Sequence, residues 1–315
     1  MNTPLVSIVT PSYNQAEFLE QTIQWVLRQD YPRLEYIIVD GGSTDGSVGI
    51  IKKYAPKLAW WISEPDRGQA EAINKGLHRA RGEIVAWLNS DDFYLPGTVS
   101  KAVAAFAAHP QAGLIYGDVL AVDQRGNTVN VFKYGNWGLE GLMTFRVIGQ
   151  PAVFMRRAVL EQAGYLDTSY HCLLDHQLWI RMARLSESRH VPDLWAAARY
   201  HGSAKNITRA EEFGREAYRI IEWMQTRPDL APLFSGNEKL IWAGAHRLNA
   251  GYLLQGGKSA AALCSYGRSF LTHPPTALRQ WRRIIFTALS LVGLRSARRV
   301  YLRLRRRFFS KPESR

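Results

Sequence analysis

Residues 5–89 alternate with a regularity that few architectures accommodate. Four short apolar runs, LVSIVT (5–10), LEYIIV (34–39), LAWWIS (58–63) and EIVAWLN (83–89), are rich in β-branched and aromatic residues and read as buried strands. Between them, 16–28, 46–54 and 68–80 carry apolar residues at helical spacing. Strand–helix–strand repetition at this interval predicts an α/β fold with a mostly parallel sheet flanked by helices. Ligands bind such sheets outside the carboxyl ends of the strands. Each run is followed by a polar cluster: PSYN, DGGSTDGS, SEPDRGQ and NSDD. The pattern therefore predicts one site assembled from four strand ends.

Downstream, 113–156 is strand-like again (GLIYGDVLAV, TVNVFKY, GQPAVFMRR), with a turn at 124–127, and 172–185 reads as a helix. From 208 the character changes to long helices over 208–226, 237–255 and 258–270. The last two form a hairpin about Gly256 and Gly257, similar to one tetratricopeptide unit but not a repeat array. These shifts predict a domain over 1–205, a helical extension over 206–275 and a basic tail over 276–315.

The chain has 315 residues, 46% of them hydrophobic, enough to bury a substantial core. Its two cysteines, Cys172 and Cys264, lack metal-type spacing and predict reduced thiols, neither a disulfide framework nor a zinc site. The N-terminal MNTPLVSIVTPSYN has no basic region before a long apolar run, so no secretory leader is expected. The longest largely apolar run, 284–294, is about half of the ~20 residues that cross a bilayer. The expectation is a cytoplasmic protein.

Of the net charge of +13, the segment 276–315 supplies +11: 12 Lys and Arg against Glu313 alone. The body is nearly neutral, so the charge is a property of the tail. There, arginines are interleaved with Trp281, Ile284, Ile285, Phe286, Leu289, Leu291, Phe308 and Phe309. This pattern suits a helix in a membrane interface, where anionic lipid attracts each basic residue by ~1 kcal/mol. So much apolar surface exceeds what phosphate neutralisation needs, and nucleic acid is not expected as a partner. A helix packed on the body with a solvated charged face is the plainer alternative.

In order, V-S-I-V-T-P-S-Y-N, I-I-V-D-G-G-S-T-D-G-S, S-E-P-D-R-G-Q-A-E-A-I-N-K-G and W-L-N-S-D-D resemble glycosyltransferase family 2. The resemblance spans roughly 5–205, about two thirds of the chain. It implies the GT-A fold, a Rossmann-like fold of nucleotide-diphospho-sugar transferases with a mixed, mostly parallel sheet; here a helical C-terminal extension follows. It also implies a nucleotide site. Pro11, Tyr13 and Asn14 would contact the base, Tyr13 as an apolar plate, and Asp40 would accept a hydrogen bond from it. Ser43 follows in the same loop. Glu64 and Asp66 sit where relatives approach the nucleotide or ribose. Ser43, Thr44 and Asp45 also form a helix-capping cluster, and for Asp45 capping and ligand contact remain equally open.

Family members commonly show Asp-x-Asp-Asp where this chain has Asn89-Ser90-Asp91-Asp92. The resemblance implies Mg2+ or Mn2+ on Asp91, with Asp92 second and Asn89 a neutral contact to ribose or water. Hard cations prefer oxygen ligands and act as Lewis acids on the leaving diphosphate. In LLDHQLWIRM, Asp175 matches the family's general base, although Leu174 replaces the acid that often precedes it; an N-cap of the following helix is the alternative. His201 would ligate the metal or touch the diphosphate, Lys205 would neutralise phosphate, and Gln150 would line the acceptor side.

One carboxylate beside the acceptor implies in-line attack with inversion. The expected activity is that of an inverting, hexosyltransferase-type enzyme using a nucleotide-sugar, with UDP-sugar the family's common choice. The acceptor is expected to be a lipid-linked glycan in bacterial cell-surface polysaccharide synthesis, met by an enzyme peripheral on the inner face of the plasma membrane. Two alternatives stand beside it. A sugar-nucleotide nucleotidyltransferase should show a Gly-rich, basic phosphate loop, which TPSYNQ lacks. A catalytically silent GT-A scaffold would be favoured by loss of Asp91 or Asp175, and both are present.

Overall fold

Strand β1 (Val6–Ser12) is buried along its whole length, because parallel neighbours flank it and helices cover the sheet. Helix α1 (Ala16–Leu27) turns Phe18, Leu19, Ile23 and Val26 inward and returns the chain to β2 (Leu34–Asp40). The unit then repeats through α2 (Ser47–Tyr54), β3 (Trp60–Ser63), α3 (Gln69–Arg79) and β4 (Ile84–Trp87). Helix α3 lies so close to β1 that a Cβ on Gly76 would overlap Val9 Cγ1, which explains a glycine inside a helix. The structure is a computed structural model describing residues 3–202 and 204–291. Residues 292–315, which hold most of the predicted tail including Phe308 and Phe309, lie outside the described residues.

After β4 come β5 (Phe93–Tyr94), α4 (Thr98–Ala108), β6 (Ala112–Val122), β7 (Thr128–Phe132), α5 (Leu139–Met143), β8 (Val153–Arg156), α6 (Arg157–Ala163), α7 (Leu174–Leu185) and β9 (Glu187–Arg199). One mixed sheet results, ordered β3-β2-β1-β4-β8-β6-β9-β5, with β7 paired to β6. The first four strands run parallel; β8 is antiparallel to β4 and to β6, and β9 is parallel to β6. The turn expected at 124–127 is present: Asp123 Oδ1 accepts the N–H groups of Arg125 and Asn127, each at 2.9 Å. Helix α4 and strand β9 did not emerge from the sequence pattern. In β9 the leading Glu-Ser-Arg-His-Val-Pro-Asp reads as loop, and its pairing to β6 shifts register there.

The chain divides into two compact units after His201. The second holds α8 (Lys205–Thr208), α9 (Ala210–Gln225), α10 (Ala231–Gln255), α11 (Ser259–Thr272), α12 (Pro274–Leu278) and α13 (Trp281–Leu291). Helix α10 packs between α9 and α11, and α11 also carries α12 and α13. A Cβ on Gly214 of α9 would overlap Asn249 of α10, so these helices pack closely. Across the next interface Asn249 Nδ2 donates to Ser265 Oγ, and Ser269 Oγ to the Ala243 carbonyl. Helix α10 starts earlier than its sequence suggests, since Pro232 in the first turn needs no amide donor. Among the described residues no helix is long and apolar enough to cross a membrane.

Candidate active site

Beyond β1 the chain turns outward at Tyr13, which is 62% exposed, and at Asn14, whose φ is 51°. This left-handed conformation, tolerated by Asn, lets the loops after β1 and β2 meet. The Asn14 N–H donates to Ser43 Oγ at 2.8 Å, and its Oδ1 accepts the Thr44 N–H at 2.9 Å. Pro11 is buried within β1, opposite Val39. Asp40 ends β2 fully buried, and its carboxylate accepts the N–H groups of Gly42 and Ser43 and the hydroxyls of Ser43 and Ser63. These bonds turn Asp40 into its own loop and hold Ser43 in place.

Asp45 joins two helix starts, accepting the Ala16 N–H at 2.8 Å and the Ser47 N–H at 3.0 Å. Burial raises its pKa, but the hydrogen bonds from Ser47 and Ala16 outweigh burial and hold it below the usual value. Asp45 thus satisfies the first backbone N–H of both helices. Asp66 lies against Gly41, where a Cβ would sit 2.6 Å from Oδ2, and its Oδ1 accepts the Gly68 N–H at 2.8 Å. Glu64 pairs with Lys75 of α3.

Three amides link the β4 end to its neighbours. Asn89 Oδ1 accepts from Gln69 Nε2 at 2.7 Å, and Asn89 Nδ2 donates to Gln150 Oε1 at 3.0 Å. Gln150 Nε2 in turn donates to the Trp87 carbonyl at 2.8 Å.

Strand β9 explains how distant residues reach Asp91 and Asp92. It pairs antiparallel with β5, Phe93 opposite Ala197, so continuing the register sets Asp91 opposite Arg199. The Arg199 N–H donates to Asp92 Oδ1 at 2.9 Å, and its Nε donates to the Asp91 carbonyl at 3.0 Å. Its buried guanidinium also reaches Gln21 and the Gln124 carbonyl, and lies over the rings of Phe18 and Phe93. Two residues further, His201 Nε2 meets Asp91 Oδ2 at 3.0 Å.

The three expected metal ligands thus separate into a pair and an outlier. Asp91 and His201 converge, and Asp91 keeps 23% of its side chain exposed. Asp92 is buried and turned toward Arg199 and Asn89. Burial, then the neighbouring Asp91 charge, pushes its pKa well above the usual range. Adjacent ligands on an octahedral ion with bonds of about 2.1 Å lie about 3 Å apart, so the Asp91–His201 spacing fits one divalent cation, which these two side chains would hold.

Asp175 occupies the first turn of α7, and its Oδ1 accepts the His176 N–H at 2.7 Å. Four residues on, Trp179 stacks on Trp87 at 5.1 Å, fixing α7 to the β4 end. The loop before α7 runs along α3: Asn74 and Leu166 exchange two hydrogen bonds, and Tyr165 lies on His78 at 3.7 Å. A Cβ on Gly68, whose φ is 121°, would sit 4.0 Å from His171. These contacts bring the starts of α3 and α7 together, beside Gln69 and Asn89. Lys205 opens α8 in the second unit.

Sequence reasoning missed Gln69, Arg199 and the Trp87–Trp179 pair. Gln69 stands in the quoted SEPDRGQ cluster and Arg199 two places before His201, so proximity to candidate residues was the available signal.

The profile of glycosyl transferase family 2 matches residues 7–159. A PGL/p-HBAD biosynthesis glycosyltransferase of Mycobacterium tuberculosis is 31% identical over 185 residues, 58% of this chain and 70% of the relative. The chain belongs to glycosyltransferase family 2. Its fold is GT-A, as the solved structures it resembles are. A mannosyltransferase from Pyrobaculum calidifontis, PcManGT, in complex with GDP-Man and Mn2+, superposes with a TM-score of 0.61 at 24% identity, covering 93% of this chain and 87% of that one. Residues 1–349 of S. aureus TarS, in complex with UDP-GlcNAc, give 0.58 at 17%, covering 89% and 92%. Against a longer TarS chain the match spans 54% of that protein's length.

Proposed function

We propose that this glycosyltransferase moves a hexose from a nucleoside diphosphate to an acceptor hydroxyl with inversion, using one divalent metal ion. The observation that carries the reading is the Asp91–His201 pair, 3.0 Å apart at the end of β4, where the four polar strand ends are joined by hydrogen bonds. Tyr13 offers its exposed ring to the base, with Pro11, Asn14 and Ser43 shaping that pocket over Asp40. Glu64 and Asp66 serve the ribose side, and Asn89 the ribose or a bound water. Asp91 and His201 hold the ion, and Asp92 stabilises the loop that presents them. When bound, the metal neutralises charge developing on the leaving diphosphate. Mg2+ takes oxygen ligands throughout, so the imidazole favours Mn2+.

Asp175 accepts the proton of the acceptor hydroxyl as that oxygen attacks the anomeric carbon opposite the diphosphate. Gln150, anchored on Trp87, lines the acceptor side. UDP-sugar is the leading donor; GDP-sugar belongs in any test, since the neighbours named above were solved with UDP-GlcNAc in one case and GDP-Man in the other. The acceptor is a lipid-linked glycan of cell-surface polysaccharide synthesis, reached by a peripheral enzyme at the inner face of the plasma membrane, with the 276–315 segment as the membrane-associating part.

Asp175→Asn should lower kcat by about 10²–10⁴ while leaving the donor Kd within about twofold. Proton NMR of the first-formed wild-type product should show an inverted anomeric configuration. A retained configuration, or loss of donor binding in Asp175→Asn, would remove the base from this account.

A further inference from the structure

Among the described residues of the second unit, packing leaves large apolar side chains uncovered. Helix α13 buries Thr287, while Trp281 (53%), Ile285 (50%) and Leu289 stay exposed. Their spacing of four residues sets them on one stripe of the helix. Leu278 of α12 and Phe270 and Leu271 (84%) at the end of α11 are exposed as well. An exposed apolar stripe that is not covered by its own fold marks an interaction surface.

The charge around this face narrows the partner. From residue 239 to 312 the sequence contains no Asp or Glu, against 15 Lys and Arg. On the described helices Arg268, Arg279, Arg282 and Arg283 are exposed, and Arg282 lies over the Trp281 ring at 5.2 Å. A run of 74 residues without a carboxylate removes every group that an anionic surface would repel. A second copy would set arginine against arginine, and a nucleic acid would leave Ile285 and Leu289 without partners.

We propose that α11–α13 form a docking face for an anionic lipid surface. Trp281, Ile285 and Leu289 enter the headgroup boundary, and Arg279, Arg282 and Arg283 engage lipid phosphates. The inference rests on the membrane reading above and deepens it by naming the contact residues; it does not depend on the chemistry at Asp91 or Asp175.

The test is flotation of the full chain with vesicles of phosphatidylcholine alone and of phosphatidylcholine with phosphatidylglycerol. The wild type should bind only the anionic vesicles, and Ile285→Asp with Leu289→Asp should weaken that binding at least about tenfold. Brominated phosphatidylglycerol should quench the wild type more than Trp281→Phe, a substitution too mild to unfold an exposed site. Equal quenching in the two proteins would overturn the proposal. So would undiminished binding by the Asp variant, or a wild type that ignores anionic vesicles and instead binds duplex DNA or self-associates. Nucleotide titration of the same samples keeps the readings apart: intact donor binding without vesicle binding sinks the docking face alone, and the reverse sinks the donor site alone.

Discussion

Asp91 and Asp92 are adjacent, yet their surroundings give them different chemistry. Asp91 faces His201 and remains open on one side, whereas Asp92 is enclosed and bonded to the Arg199 backbone. Arg199 is the residue that sets this difference, because its side chain also holds the Asp91 carbonyl. Groups that orient metal ligands commonly contribute 10–100-fold to metal affinity. Arg199→Lys keeps the charge but loses the planar fork. It should weaken metal-dependent nucleotide binding about tenfold, read by calorimetry. The residue types of the Asp91–His201 pair were visible in the sequence, though 110 positions separate them. The inward turn of Asp92 was not, since a dipeptide carries no direction; β9 supplies it through its pairing with β5.

At the scale of elements, the two ends of the parallel strands carry different duties. Their carboxyl ends hold the site; near their amino ends the buried Ser7 and Glu35 are clamped by Arg81, whose side chain is exposed. Ser7 Oγ donates to Glu35 Oε2, the Arg81 N–H to the same oxygen at 2.8 Å, and Arg81 Nε to Oε1 at 2.7 Å. Burial raises the Glu35 pKa, but the hydrogen bonds from Arg81 and Ser7 together hold it below the usual carboxylate value. Its stabilising contribution is therefore complete above the unfolded-state pKa and disappears as pH falls through the folded value. Glu35→Gln should cost about 2 kcal/mol at pH 7. In denaturant melts that difference should shrink on acidification below about pH 4.5, while nucleotide binding is unaffected at pH 7. β1 to β4 were legible because buried parallel strands are continuous apolar runs, and α1 to α3 because their buried faces repeat at helical spacing. β9 was hidden because its first half, only partly buried, carries charges and a proline, so burial pattern and pairing diverge along one strand.

For the whole molecule, family membership and the GT-A fold account for the first unit, and the helices of the second carry no signature of transfer chemistry. Charge is partitioned in the same way: the carboxylates of the site lie before residue 202, while 239–312 contains none. The proposed donor chemistry and the proposed surface attachment thus rest on different residues, and each should be lost by substitution without the other. The claim on which the proposed chemistry depends is that Asp91 and His201 form a metal-dependent nucleotide site. Calorimetric titration of UDP, GDP and the other nucleoside diphosphates, with Mn2+ and with chelator, tests it on the wild type and on Asp91→Ala. The account predicts that one nucleotide binds with Mn2+, that chelator abolishes the binding, and that Asp91→Ala abolishes it equally. Binding that survives both chelator and Asp91→Ala would contradict it.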